Sequence, residues 1–252
     1  MQKFNLPDMY DACTWVGQWP FFSIRNNNLT SLKTKLTECG IKRALVSPLD
    51  AVFAPDPLAS FHMLSEADRS FFEPVPIVDP SRANWSEAIK VADSFGIRVV
   101  KLLPNYHMYR LTDIIKPLVT ETLKRGMVIS IQIRMQDPRG RYPLLKVDDT
   151  DIKDVKLAVE GFPEQKFLLN GMYFGEVNGL SGFRNIRIGT EALEVCDIYS
   201  VLFERYSPER FVFSTHTPMF FPEGNLYKLA YAGISDEQKK AVGHDQLKGF
   251  IG

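Results

Sequence analysis

A closed eight-stranded α/β barrel, the (β/α)8 or TIM barrel, is the fold that this sequence predicts. Three observations predict it. Short β-rich runs alternate with loops and then with stretches of helical spacing, eight times along the chain. The runs are nearly continuous in apolar residues, as in Arg98-Val-Val-Lys-Leu-Leu103 and Val128-Ile-Ser-Ile131, which marks parallel strands buried on both faces. The chain has 252 residues, and a barrel of this kind takes about 250.

The predicted strands start with Met9 to Trp15, Arg43 to Ser47, Val75 to Val78 and Arg98 to Leu103. They continue with Val128 to Ile133, Phe167 to Leu169, Ile186 to Ile188 and Phe211 to Ser214. Between them, Leu29, Leu32, Leu36 and Cys39 share one helical face, and Gly40 follows as a stop. Trp85, Ala88, Ile89 and Ala92 repeat the stripe before Gly96, as do Ile115, Leu118, Val119 and Leu123 before Gly126. Asp151 to Glu160 and Leu193 to Tyr206 supply two more helices. The second holds Cys196, Tyr199 and Phe203 in register, which predicts a core position for Cys196. From Phe53 to Arg69 two prolines precede a helix with a less regular stripe. A doubly wound open sheet shares the alternation, but no glycine-rich phosphate turn follows the first strand. No linker or repeat divides the chain, so one domain is expected over residues 1–252.

Composition narrows the function classes. Thirty basic residues balance thirty acidic ones, which excludes the strong field that would steer a chain to nucleic acid or an acidic membrane. Cys13, Cys39 and Cys196 are odd in number, far apart and without ligand-like spacing, as in a reducing compartment. Met1 to Asp8 does not read as a signal peptide, and no run approaches the roughly 20 apolar residues of a membrane span. The expectation is a cytoplasmic protein whose partner is a small-molecule substrate, with no nucleic acid and no membrane. A homodimer is compatible with the fold.

In such a barrel the chemistry stands just after each strand. Those positions hold Cys13, Trp15 and Gly17-Gln-Trp-Pro-Phe-Phe22 after strand 1, and Asp79-Pro80 after strand 3. Pro104-Asn-Tyr-His-Met-Tyr-Arg110 follows strand 4, and Gln132, Arg134, Gln136, Asp137 and Arg139 follow strand 5. Asn170-Gly171 ends strand 6, Glu191 and Glu194 follow strand 7, and Ser214-Thr-His-Thr-Pro218 ends strand 8. Polar groups at one end of buried strands need a reason, because an unpartnered one costs stability.

Phe213-Ser-Thr-His-Thr-Pro218, Asp11-Ala-Cys13-Thr-Trp15-Val-Gly17 and the tail from Ile234 to Gly252 together resemble the amidohydrolase-related barrels of the decarboxylase-like branch. The resemblance spans about Asp11 to Gly252. It implies a divalent metal held by two histidines on strand 1, one each on strands 5 and 6, and an aspartate on strand 8. Here those positions hold Cys13, Trp15, Gln132, Asn170 and His216. Amides and an indole are poor metal ligands, so no metal and no cofactor is expected beyond weak binding by Cys13 and His216. Trp19-Pro-Phe21, Asn105-Tyr-His107-Met-Tyr109, Arg134-Met-Gln-Asp137-Pro-Arg139 and Thr215-His-Thr-Pro218-Met-Phe220 resemble a divergent subgroup of these barrels.

The implied activity is hydrolysis of a small carboxylated or hydroxylated lactone, ester or amide without the usual metal. His216 would be the general base, with His107 orienting the substrate carbonyl as the second catalytic residue. Arg134 and Arg139 could clamp an anion, and Asn105, Tyr109, Asp137, Asn170, Glu194 and Trp15 complete the expected substrate site. Each has a structural alternative: a capping histidine, an arginine paired to Asp137 or Glu194, an aromatic that merely closes the barrel. Lys101, inside strand 4, is expected to pair with Asp137 or Glu194. Two other functions stay open at this point, a non-catalytic small-molecule-binding barrel and a metal-dependent hydrolase or decarboxylase with shifted ligands.

Overall fold

A computed structural model describes residues 6–56 and 58–252. Its strands are β1 (Met9–Val16), β2 (Ile41–Pro48), β3 (Phe72–Pro74), β4 (Val99–Leu102), β5 (Val128–Gln132), β6 (Phe167–Asn170), β7 (Ile186–Gly189) and β8 (Phe211–Val212). Sequential neighbours pair in parallel, in runs of β1 to β3 and β4 to β8. Shorter contacts close the two seams. Ile77 bridges to Lys101, and Thr14 bridges to Thr217. The Val78 N–H donates to the Lys101 carbonyl and the His216 N–H to the Cys13 carbonyl, both at 2.8 Å. The predicted eight-stranded barrel is therefore the observed fold.

The third strand differs from its predicted span. The hydrogen-bonded ladder covers Phe72–Pro74, and Ile77 makes only an isolated bridge. Pro74 and Pro76 have no N–H to give, so a regular ladder cannot run through Val75 to Val78.

Ten α-helical segments accompany the strands among the described residues: α1 (Leu29–Glu38), α2 (Ala59–Leu64), α3 (Trp85–Ser94), α4 (Leu111–Lys124), α5 (Ile152–Gly161), α6 (Phe174–Val177), α7 (Ile198–Arg205), α8 (Pro222–Ala230), α9 (Asp236–Lys240) and α10 (Gln246–Ile251). None is long and apolar enough to cross a membrane. The stripes read from the sequence face the core: Leu32 and Leu36 on α1, Ala88, Ile89 and Ala92 on α3, Ile115, Leu118 and Val119 on α4. The Asn28 side chain caps α1 by accepting the Ser31 N–H at 2.9 Å. The helix predicted from Leu193 begins only at Ile198, because Asp197 takes a left-handed conformation with φ +46°. Cys196 falls in the turn before it and is exposed, so the expected core position is corrected.

Inside the barrel two layers differ in chemistry. At the N-terminal end Tyr10, Ala12, Leu45, Val75, Val99, Val128, Leu168 and Val212 pack together, and Leu247, Phe250 and Ile251 of α10 plug them. A register shift in β1 between Asp11 and Thr14 changes which residues share the interior, bringing Cys13 and Trp15 into the cluster nearer the mouth. Two residues past Val99, Val128 and Leu168, the alternation of the strands places Lys101, Ser130 and Asn170, all buried. An apolar base thus carries a polar layer beneath the mouth.

Candidate active site

Lys101 holds the centre of that polar layer. Its ammonium lies 3.6 Å from Cys13 Sγ, 3.4 Å from Gln132 Oε1 and 4.1 Å from the centroid of the Trp15 ring. The expected pairing with Asp137 or Glu194 is therefore corrected: the buried charge is met by a thiol, an amide oxygen and an aromatic face. Burial pushes the Cys13 thiol up to about 12 while the Lys101 charge pulls the other way.

His216 ends the eighth strand in a left-handed conformation, φ +60°, that non-glycine residues rarely adopt. Its N–H on the Cys13 carbonyl holds it there. The Trp15 indole donates to His216 Nδ1 at 3.1 Å, and Nε2 lies 2.9 Å from the Met135 carbonyl. These two contacts together place the ring proton on Nε2. Burial, then the Lys101 charge, lowers the imidazole to about 3, so the ring is neutral. Glu191, buried after β7, accepts from the Gly171 N–H and the Ser214 hydroxyl. Cys13, Glu191 and His216 each offer one ligand atom, all within 4.8 Å of one another.

Beside this group lies a cavity of about 350 Å³. Arg134, Gln136 and Asp137 reach it from the loop after β5, Gly171 and Tyr173 from that after β6, and Glu191 and Glu194 from that after β7. His216, Phe220 and Phe221 follow β8, and Asn225 and Lys228 stand three residues apart on α8. Gly171 has φ +77°, and a Cβ there would meet the Arg134 carbonyl oxygen at 2.5 Å, so the position needs glycine. Arg134 donates to Asp149 at 2.9 Å and to Glu176, with its guanidinium 3.7 Å from the Tyr173 ring centroid.

The residues expected at the site separate into groups. His216, Arg134, Asp137 and Glu194 line this cavity. Asn105 and Tyr109 line a different groove, shared with the segment from Lys146 to Asp154. His107 lies against Asp79, Arg82 and Ser60, its Nε2 3.0 Å from the Val52 carbonyl, and burial lowers its pKa. His107 and His216 line different cavities. Arg139 is 90% exposed and held by Asp137 at 2.8 Å, so it does not reach inward. Trp15 and Asn170 are buried within the barrel. The Asn170 Oδ1 accepts from Ser130 at 3.0 Å, while its Nδ2 has no hydrogen-bond partner among the described residues. Glu191 and Gln136 are among the strand-end positions, Gln136 inside the motif from Arg134 to Arg139, but neither is in the expected substrate site. Asn225 and Lys228 lie beyond those loops altogether, and only their shared helix face after β8 could have flagged them.

No protein-family profile and no curated protein sequence matches the chain. Solved structures do. The 5-carboxyvanillate decarboxylase from Sphingomonas paucimobilis superposes with a TM-score of 0.73 at 12% identity, covering 97% of this chain and 98% of that one. A protein from Acinetobacter baumannii described as a probable 2-pyrone-4,6-dicarboxylic acid hydrolase, with citric acid bound, gives 0.67 at 8%, covering 97% and 99%. The 5-carboxyvanillate decarboxylase from Novosphingobium aromaticivorans, solved with bound manganese and a nitrobenzoic acid, gives 0.73 at 9%, covering 97% of each. The expectation of a chain with no cofactor is corrected by two findings: a structure of this fold carries a metal ion, and here a thiol, a carboxylate and an imidazole converge at the mouth. At such identities the likeness establishes the fold, a TIM barrel shared over almost the whole chain with two decarboxylases and a protein described as a probable hydrolase.

Proposed function

We propose that the protein is a metal-assisted hydrolase that cleaves a small hydroxylated or carboxylated lactone, ester or amide in the cavity above β5 to β8. One observation carries this reading: the donors of Cys13, Glu191 and His216 lie within 4.8 Å of one another, and Glu191 and His216 also line the cavity. The donor set suits the ion. Thiolate, carboxylate and neutral imidazole favour a borderline ion such as zinc over manganese, which prefers oxygen. A divalent ion bound there would polarise the scissile carbonyl and acidify a water.

The chain's own residues set the rest. The Gly171 N–H and the Ser214 hydroxyl hold the Glu191 carboxylate in place. Burial keeps His216 neutral, which gives it a lone pair to offer but makes it too weak a base to take a proton from water near neutral pH. Its role moves accordingly from general base to ligand. Hydrolysis then adds the water oxygen to the acyl carbon, breaks the C–O or C–N bond, and leaves an acid with an alcohol or amine. Two neighbours oppose occupancy. The Lys101 ammonium stands 3.6 Å from the Cys13 sulfur, and the Trp15 indole N–H occupies His216 Nδ1.

The test is a zinc titration of metal-free protein against a competing chelator. About one zinc per chain is expected, with Cys13→Ser and Glu191→Gln each lowering affinity at least about tenfold. Lys101→Met should raise it, since binding exchanges the thiol proton for a dication and so adds positive charge beside the ammonium. Absence of zinc binding in both the wild type and Lys101→Met rejects the reading. With zinc present, glucono-δ-lactone, p-nitrophenyl acetate and an anilide are the substrates to try. Release of carbon dioxide from an aromatic acid, with none of the three cleaved, would replace hydrolase by decarboxylase.

A further inference from the structure

The stretches that carry Cys13 and His216 are both irregular backbone, and one buried side chain ties them together. In β1, Asp11 pairs with Ala44 and Thr14 with Val46, so Ala12 and Cys13 together stand opposite Leu45. A bulge of this kind takes a residue out of the ladder and re-aims its side chain. On the other seam the Ala12 N–H reaches the Phe213 carbonyl and the Trp15 N–H the Thr217 carbonyl, which leaves one extra residue on the β8 side. His216 lies inside that stretch, with φ +60°. Asp11 serves both irregularities. It is fully buried, and its Oδ1 accepts the Cys13 N–H and the Thr215 N–H, each at 3.0 Å. Its Oδ2 accepts the Thr215 hydroxyl at 2.5 Å. With that proton given to Asp11, the Thr217 hydroxyl donates to Thr215 Oγ1 at 2.6 Å, and the Thr217 N–H reaches the same oxygen at 3.2 Å. The carboxylate thus supplies acceptors that a regular ladder would otherwise provide.

We infer that Asp11 is the positioning residue of the site: by holding the backbone of Cys13 and of Thr215, next to His216, it sets how thiol and imidazole meet across the β1–β8 seam. The result of that hold is a Cys13 sulfur 3.4 Å from His216 Nδ1, with the Trp15 indole donating to the same nitrogen. Asp11 does not line the cavity, so it acts through the residues it holds. The inference rests on Cys13 and His216 being the working pair of the site proposed above, and it does not depend on the metal.

NMR of the full chain tests it, with zinc affinity as a second readout. The Trp15 indole N–H and the His216 ring nitrogens report the pair without metal, the latter by distinguishing a ring protonated on Nε2 from one protonated on Nδ1. Asp11→Ala removes all three contacts. It should move both signals while leaving those of Trp85 and His62 in place, and should weaken zinc at least about tenfold. Asp11→Asn keeps Oδ1 as acceptor of both backbone N–H groups, so it should hold both signals and bind zinc much as the wild type does. A purely structural role would lower the melting temperature of Asp11→Ala and leave the two signals where they are. Should Asp11→Ala not fold, Thr215→Val decides: it removes only the hydroxyl contact and should shift the same two signals. Unmoved signals in whichever of these two variants folds overturn the inference. So does Asp11→Asn losing as much as Asp11→Ala, or Asp11→Ala binding zinc as tightly as a zinc-binding wild type. Shifted signals in a chain that takes no zinc, as wild type or as Lys101→Met, reject the metal reading alone. Zinc binding with unmoved signals rejects this inference alone.

Discussion

The two halves of the barrel mouth are finished in opposite ways. Beside β1 to β4, Trp19, Phe21, Phe53 and Tyr106 pack ring against ring at centroid separations of 5.6 to 5.9 Å. Beside β5 to β8, the loops and α8 enclose a cavity bordered by charged pairs and unpartnered amide oxygens. Both halves are built from the same kind of position, just past a strand, and both are rich in aromatics. A place at the C-terminal end of a barrel strand is therefore not enough to mark a binding residue. Room makes the distinction, because buried polar atoms without a partner, Trp19 Nε1 among them, occur in the ring-packed half as well.

Three substitutions sharpen or break that contrast. Trp19→Ala in the filled half should cost the most, about 4 kcal/mol by urea denaturation, because a nearly buried indole leaves a void among other rings. A loss below about 1.5 kcal/mol would mean that the cluster is not packing and that the halves are alike. Arg134→Met on the open side should cost about 3 kcal/mol, since it strips Glu176 and Asp149 of a buried partner. A neutral result there would show that the cavity wall is not held by this network. Phe221→Ala should stay within about 0.5 kcal/mol by the same assay, as expected for a surface ring at the cavity rim. A large destabilisation at Phe221 would make the open half a packed one and remove the contrast.

The barrel was largely legible from the sequence because burial on both faces leaves strands with little choice but apolar runs, and because glycine stops end α1, α3 and α4. Proline blurred β3 by denying it donors, and one left-handed residue, Asp197, moved the start of α7 past Cys196. The site was legible only in part. His216, Arg134, Asp137 and Glu194 meet because they follow β5, β7 and β8, which are close in the barrel. Asn105, His107 and Tyr109 belong to the same layer by sequence, yet the loop after β4 turns toward Val52 and Asp154 instead. Asn225 and Lys228 were invisible because a helix after the last strand carries no motif, and its inward face is set by how it packs. Glu191 needed the structure as well, since a carboxylate in a loop is ordinary until Gly171 and Ser214 are seen to hold it.

The glycine at position 171 has a consequence for how this pocket could be altered. With its backbone turned left-handed beneath the Arg134 carbonyl, no side chain can be planted at that point, so one border of the chamber is bare peptide. Remodelling for a new ligand is thereby confined to the movable rim, the turns after β5, β7 and β8 and the inner face of α8, while that border stays the same for every occupant.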